Sequence, residues 1–372
     1  MAIRDVDFAN LGLFVSQVDA TSTTGHTPSN MSGITCLQSV NASTDIPLEN
    51  VGCAGKTATS KVNNEAPNVT LDFTYHAVDM YNEAALGFTI NSTNTCLNRI
   101  MTKDVDERNY YIPISDEGQD LEDAVPADYQ VLAIGNGFIS SYSTEGSVGN
   151  FATTSISVQG SNVSAHSDGV SEANPAVDAN GAGVGGTFTL PNGLATISGQ
   201  PTVIGQGDIV FEVARNDDGT LFYNPTGLCI QGYNISFDLN RSARQCLGNK
   251  FPNSRKITFP IDVDMSIDAL GGDLATGNLA NILCYDATNT YDLAVTLYEP
   301  SCDTARGTAC ARYELKNAVF QGFSANSSQG DDQGQTVTIN YQGSIAADGD
   351  TSNGLFFSGI YGYNGGTGIY SA

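Results

Sequence analysis

The chain has no tryptophan, three histidines (His26, His76 and His166) and 15 basic residues against 40 acidic ones, so its net charge is -25. Each scarcity excludes something. A surface so acidic repels phosphates and argues against nucleic-acid binding, though it does not exclude a surface along which DNA slides without sticking. Without tryptophan, a sugar-binding cleft would have to build its aromatic platforms from tyrosine. No Cys-x-x-Cys pair is available to zinc. No segment approaches the ~18 consecutive apolar residues that cross a bilayer as a helix. The opening MAIRDVDFANLGLFV never develops the apolar run of about seven residues that a signal peptide needs, so cytoplasmic synthesis is expected.

What the chain does have is turn-forming residues and alternation. Its 40 glycines, with abundant Asn, Ser and Thr, suit strands joined by many turns. The seven Asn-x-Ser/Thr triplets are what chance yields in such a composition. VTLDFTY, TSISVQG, TVTINYQG and ITFPIDVDMSI alternate apolar and polar residues, the pattern of half-buried antiparallel strands. Helical signal is sparse: DLATGNLANIL at 273–283 and the shorter YNEAALGF at 81–88.

The segments also recur. Cys36 opens CLQSVNASTD and Cys53 follows; Cys229 opens CIQGYNISFD and Cys246 follows at the same spacing. Gln38, Asn41, Ser43 and Asp45 return in register as Gln231, Asn234, Ser236 and Asp238. NVTLDFTYHAVD is matched to TFPIDVDMSIDA, and the closing segments 134–165 and 315–347 correspond. Repeats this long imply tandem domains: a first β domain at 1–165, a Gly/Asn-rich linker or surface loop at 166–205, and a second β domain at 206–372. The fold class is therefore mainly β.

Catalytic and cofactor signatures are weak. Gly181, Gly183 and Gly186 formally satisfy G-x-G-x-x-G, but a loop precedes them and TFTL follows, where a dinucleotide site needs a strand and a helix. Gly55-Lys56-Thr57 lacks the earlier glycine of a phosphate loop. Asp262, Asp264, Asp268 and Asp273 lack the central Gly and final Glu of a calcium loop and are read as a solvated strand face. No Ser or Cys sits in a recognisable nucleophile context. The reading is a non-enzyme with no cofactor and no metal.

The eight cysteines leave two alternatives open. The repeat favours equivalent disulfides, Cys36 with Cys53 and Cys229 with Cys246, while Cys302 and Cys310 could staple a hairpin. Equally, all could be reduced small hydrophobes.

LQSVNASTDIPLENVGCAGK, PNVTLDFTYHAVDMYNEAALGF, YYIPISDEGQD, IGNGFISSYSTEGSVGNF and the closing ARYELKNAVFQGFSANSSQGDDQGQTVTINYQGSI together resemble the major tail tube proteins of long-tailed bacteriophages. The resemblance implies two tube-like β-barrel or β-sandwich units, each with a short flanking helix. It implies a virion tail location after assembly in the host cytoplasm, and homotrimeric rings stacked into a channel for DNA. Tape measure, tail terminator and baseplate proteins would be the other partners, without a membrane. The alternatives are a capsid decoration or head protein, or an extracellular β-rich adhesin. Residues 239–261 carry Arg241, Arg244, Lys250, Arg255 and Lys256 with no acid among them. They are expected to meet the acidic 104–128 segment of a neighbouring ring.

Overall fold

The computed structural model describes residues 11–16, 31–102 (except 56, 58–59 and 64), 106–192 (except 117–118 and 122–123), 203–215, 229–270 and 290–360 (except 302–305, 327–335 and 347–349). The strands of the first half are β1 (Phe14–Ser16), β2 (Met31–Gly33), β3 (Leu37–Asp45), β4 (Leu48–Val51), β5 (Ser60–Asn63), β6 (Asn68–His76), β7 (Glu107–Ile114), β8 (Gln130–Ser147), β9 (Thr153–Gly160) and β10 (Asn162–His166). Short strands β11 (Glu172–Ala173) and β12 (Thr187–Phe188) follow. The second half holds β13 (Ile209–Arg215), β14 (Ile230–Asp238), β15 (Arg241–Arg244), β16 (Ser254–Ile257), β17 (Ile261–Leu270), β18 (Tyr291–Tyr298), β19 (Ala309–Asn326), β20 (Thr336–Ile345) and β21 (Gly354–Gly359). Two short helices, α1 (Tyr81–Leu86) and α2 (Asn98–Thr102), lie between β6 and β7.

The protein is mainly β, as the alternating sequence predicts. One antiparallel sheet runs β3-β6-β9-β8-β14-β17-β20-β19. Strands β8 and β19, each 18 residues long, serve two layers. Their C-terminal parts belong to this sheet. Their N-terminal parts lie between β7 and β10 and between β18 and β21 respectively.

Pairing order, bulges and local geometry recur in the second half. Gln38 and Gln231 are bulged, as are Ser140 and Gln321. Asn136 (φ 54) and Asn317 (φ 55) share a left-handed backbone uncommon for non-glycine residues. Each donates its amide to a bulged residue's side-chain oxygen, Asn109 Oδ1 at 3.2 Å and Asp292 Oδ1 at 2.9 Å. These anchors correct one sequence match. β6 aligns with residues 262–270, four positions later than NVTLDFTYHAVD against TFPIDVDMSIDA implies, because strand pairing sets the register.

The apolar face of the sheet feeds one core shared by both halves. Phe73, Tyr142, Ile235, Phe237, Met265 and Tyr341 are all buried in it. At the junction Tyr142 stacks on Phe237 with centroids 5.3 Å apart, and Phe88 meets Tyr142 edge-on at 5.2 Å. Helix α1 ends at Gly87 (φ 98), where a side chain would be strained and would also strike Arg108. The other helix expected from sequence, 273–283, lies outside the described residues.

Of the two readings of 166–205, a linker or a surface loop, residues 166–192 fit the second, with the packing of a surface segment. They carry β11 and β12 and cover the outer face of the first half, where Phe188 and Leu190 pack with Phe14, Tyr111, Tyr129 and Val131 in a second core. Pro175, Ala176 and Asn174 are also buried. Apolar residues scattered without a period gave no hint of this packing.

Candidate assembly interface

The polar face of the long sheet is built by period-two alternation. Along its eight strand segments the register places Asn41 opposite Asp72, Asp72 opposite Ser157, Ser141 opposite Asp238, and Asp264 opposite both Ser236 and Gln342. Asp45, Asp72, Glu145, Asp238, Asp262, Asp264 and Asp268 are exposed on it. None of the eight segments contains a lysine or arginine. Thr338 donates to Asp268 at 2.5 Å and Gln342 donates to Asp264 at 3.0 Å, so two of the three β17 acids are tied across to β20. Among the described residues no group of metal-binding side chains forms, and Asp273 lies outside them.

The sheet has two ends. β3 pairs only with β6, and the C-terminal part of β19 only with β20, among the described strands. Between these ends, β8 joins β14 with Thr144 opposite Ile235 and Tyr142 opposite Phe237. By the matched bulges, β14 corresponds to β3 and the end of β8 to the end of β19. The internal junction thus unites the counterparts of the two open edges.

The β15–β16 hairpin follows β14 and folds onto the first half. Arg241 Nη1 and Nη2 donate to Asp106 Oδ2 and Oδ1 at 2.5 and 2.6 Å, with the Arg241 side chain 2% exposed. Arg241 and Arg255 stand over the Phe138 ring at 5.1 and 5.8 Å. Arg255 also donates to Gln159 O, Gly160 O and Ser161 Oγ, each at 3.4 Å. Burial and the neighbouring Arg241 lower its pKa.

Arg241 therefore meets an acid of the 104–128 segment within its own chain, while Arg255 is held by backbone carbonyls, Ser161 and the Phe138 ring. Antiparallel pairing of β14 beside β8 brings the hairpin back over the first half. Arg244, Lys250 and Lys256 remain exposed. The backbone amides of Lys250 and Phe251 donate to Ala179 O.

The thiols of Cys36, Cys53, Cys229 and Cys246 are free, so neither equivalent disulfide is formed here. Cys36 precedes β3 and Cys53 lies beyond its far end at the hairpin. A nine-residue strand spans about 30 Å, whereas a disulfide needs Cα atoms within about 7 Å. Cys229 and Cys246 flank β14 in the same way. Cys310 is free and buried, with its pKa pushed up to about 12 by desolvation; Cys302 lies outside the described residues.

Two polar clusters escaped sequence reading. Glu83 on α1 is fully buried; its Oε1 accepts from Tyr75 and Tyr142 hydroxyls at 2.9 and 3.3 Å. Desolvation raises its pKa to about 7. Ser164 Oγ lies 2.9 Å from His166 Nε2, and His166 Nδ1 lies 2.7 Å from Glu172 Oε2. That order matches a nucleophile–histidine–acid relay, but it also ties β10 to β11. The His166 ring packs edge-on against Phe188 at 5.2 Å. The Gly181–Gly186 run lies between β11 and β12, with Gly181 against the Phe251 ring rather than before a helix.

No family model matches this chain, and no curated protein does. Among solved structures, the chain is similar to the hybrid solid-state NMR and cryo-EM structure of the SPP1 tail tube. The TM-score is 0.30 and identity 10%, over 44% of this chain and 79% of that one. A likeness at this level settles neither fold nor function.

Proposed function

We propose that this chain is a self-assembling structural protein, the subunit of a phage tail tube. One observation carries the reading: β8 pairs with β14, and the two open edges of the sheet are the counterparts of those paired strands. An internally duplicated chain of this kind joins the end of β19 to β3 of the next copy by the same geometry. Closure covers edges that would otherwise invite uncontrolled pairing. Three chains supply six units to a ring, and stacked rings form the tube within the virion tail.

The acidic face with no basic residue then lines a channel that DNA crosses without being held. Tape measure, terminator and baseplate proteins act at the ends of the tube. Exposed Arg244, Lys250 and Lys256 are the groups left to meet acidic surfaces of a stacked ring. The Ser164–His166–Glu172 chain serves to hold the 167–190 segment, and a serine-directed phosphonate probe should leave Ser164 unlabelled.

Electron microscopy of the purified protein tests the proposal. Rings of three chains and tubes built from them are expected. Monomers at all concentrations, or shell-bound oligomers that never stack, would overturn it; the latter would favour the head-decoration alternative.

A further inference from the structure

Three residues buried at the internal junction have exposed counterparts at the open ends. Phe138 (9% exposed) corresponds to Val319 (55%), and Leu239 (2%) to Ile46 (52%). Ser161 (7%) corresponds to Ser344, which is exposed. The cover over Phe138 and Ser161 is the β15–β16 hairpin, through Arg241 and Arg255. Its counterpart is the β4–β5 hairpin, paired in the same way: Leu48 opposite Asn63 and Asn50 opposite Lys61, as Arg241 is opposite Ile257 and Ala243 opposite Arg255. Leu48 thus takes the place of Arg241 and Lys61 that of Arg255. Both are exposed in the single chain, Leu48 at 56%.

The surface beneath the internal hairpin is reproduced in sequence. Gln159-Gly160-Ser161, which Arg255 grips, recurs as Gln342-Gly343-Ser344. Both glycines are held by close approach, since a Cβ at Gly160 would lie 2.6 Å from Ile134 and one at Gly343 2.7 Å from Leu315. Gln159 opposes Phe138 and Gln342 opposes Val319. The second half therefore presents the same seat, unoccupied by any described segment of its own chain.

We propose that the β4–β5 hairpin is an arm that seats on the second half of a neighbouring copy. Leu48 and Ile46 cover Val319 and the Gln321 bulge there, and Lys61 donates to Gln342 O, Gly343 O and Ser344. The proposal rests on the reading of this chain as a self-assembling subunit, and adds that its two arms differ in chemistry. The inner arm is an arginine clamp over Phe138 locked by Asp106. The outer arm is largely apolar, with one lysine. Leu48 cannot replace the Arg241–Asp106 pair, so each arm is matched to its own seat and the order of halves around a ring is fixed.

Two measurements on the full chain test this. Ile46→Asp with Leu48→Asp, and separately Val319→Asp, should raise the concentration needed for assembly by about tenfold or more. The monomer should melt unchanged, because all three side chains are already exposed. Val62→Asp, on the opposite face of the hairpin, should assemble as wild type does. In addition, a photo-crosslinking residue at Leu48 should join the Val319 or Gln342 peptide of a different isotope-labelled copy. A wild type that assembles while all these variants assemble equally, or crosslinks confined to one copy, overturns the arm alone. A wild type that stays monomeric overturns the arm together with the ring reading.

Discussion

Among the described strands, β3-β6-β9-β8 and β14-β17-β20-β19 pair in the same order but meet different surroundings. The first half has its seat filled, by a hairpin from the second, and its outer face covered by residues 167–190. The second half leaves its seat open, and its outer face carries an ion network in which Arg312 meets Glu212 and Glu314, and Lys316 meets Glu314. Equivalent positions thus differ in exposure because one has a neighbour within the chain and the other does not. A repeat whose copies are unequally covered points to the missing cover.

The largest expected contrast uses one substitution at two equivalent positions. Ile235 is fully buried opposite Thr144, whereas its counterpart Ala42 lies on the β3 edge. Ile235→Asp should cost several kcal/mol by burying an unpaired charge, and so unfold the chain. Ala42 is only half-buried against the core, so Ala42→Asp should lower the monomer's denaturation midpoint far less than Ile235→Asp does, yet abolish assembly. Equal loss of monomer stability in both would break the comparison.

Next in size is the internal clamp. Arg241→Met leaves Asp106, whose side chain is 20% exposed, without its bidentate partner. Removing one member of such a pair costs about 3 kcal/mol. Urea denaturation of the monomer should register this loss, while Leu48→Met in the outer arm should register none.

Glu83 gives a pH signature of similar or smaller size. Its pKa is about 7 in the fold against 4.5 ordinarily, chiefly from desolvation. Below pH 4.5 both folded and unfolded chains hold the proton and there is no penalty. Between 4.5 and 7 the unfolded chain gives up its proton first, so stability falls as pH rises and the full loss is reached above pH 7. The loss approaches about 3 kcal/mol. Asp79, raised to about 6 by burial, acts in the same direction. Denaturation at pH 5 and pH 8 should show Glu83→Gln with a flatter profile than wild type.

Part of this architecture was legible. Period-two alternation located β6, β9, β17 and β20, and Cys36 and Cys229 marked the starts of β3 and β14. YNEAALGF became α1. What stayed hidden was long-range. Nothing local tells that β8 and β19 each serve two layers, or that Arg241 finds Asp106 in its own chain. Exposed Val319 and Ile46 look like ordinary strand residues until their buried counterparts are known. Glu83 was one acid among 40 and gains its meaning only from Tyr75 and Tyr142.

The smallest effect separates the arms by salt. Arginine–aspartate contacts are screened by salt, apolar contacts are not, and copies each carrying -25 repel less when screened. Raising salt should therefore leave ring closure unchanged or favour it by about two- to threefold in critical concentration. Ring closure that weakens steeply with salt would assign the outer seat to ion pairs instead.

The most direct test is the strand register between copies, read from cryo-electron microscopy of the assembled protein. The account predicts β19 antiparallel to β3 of the next chain, with Asn326 opposite Asn41, Ala325 opposite Ala42, Ser324 opposite Ser43 and Phe323 opposite Thr44. An assembly in which β3 and β19 stay unpaired, or pair in another register, would contradict it.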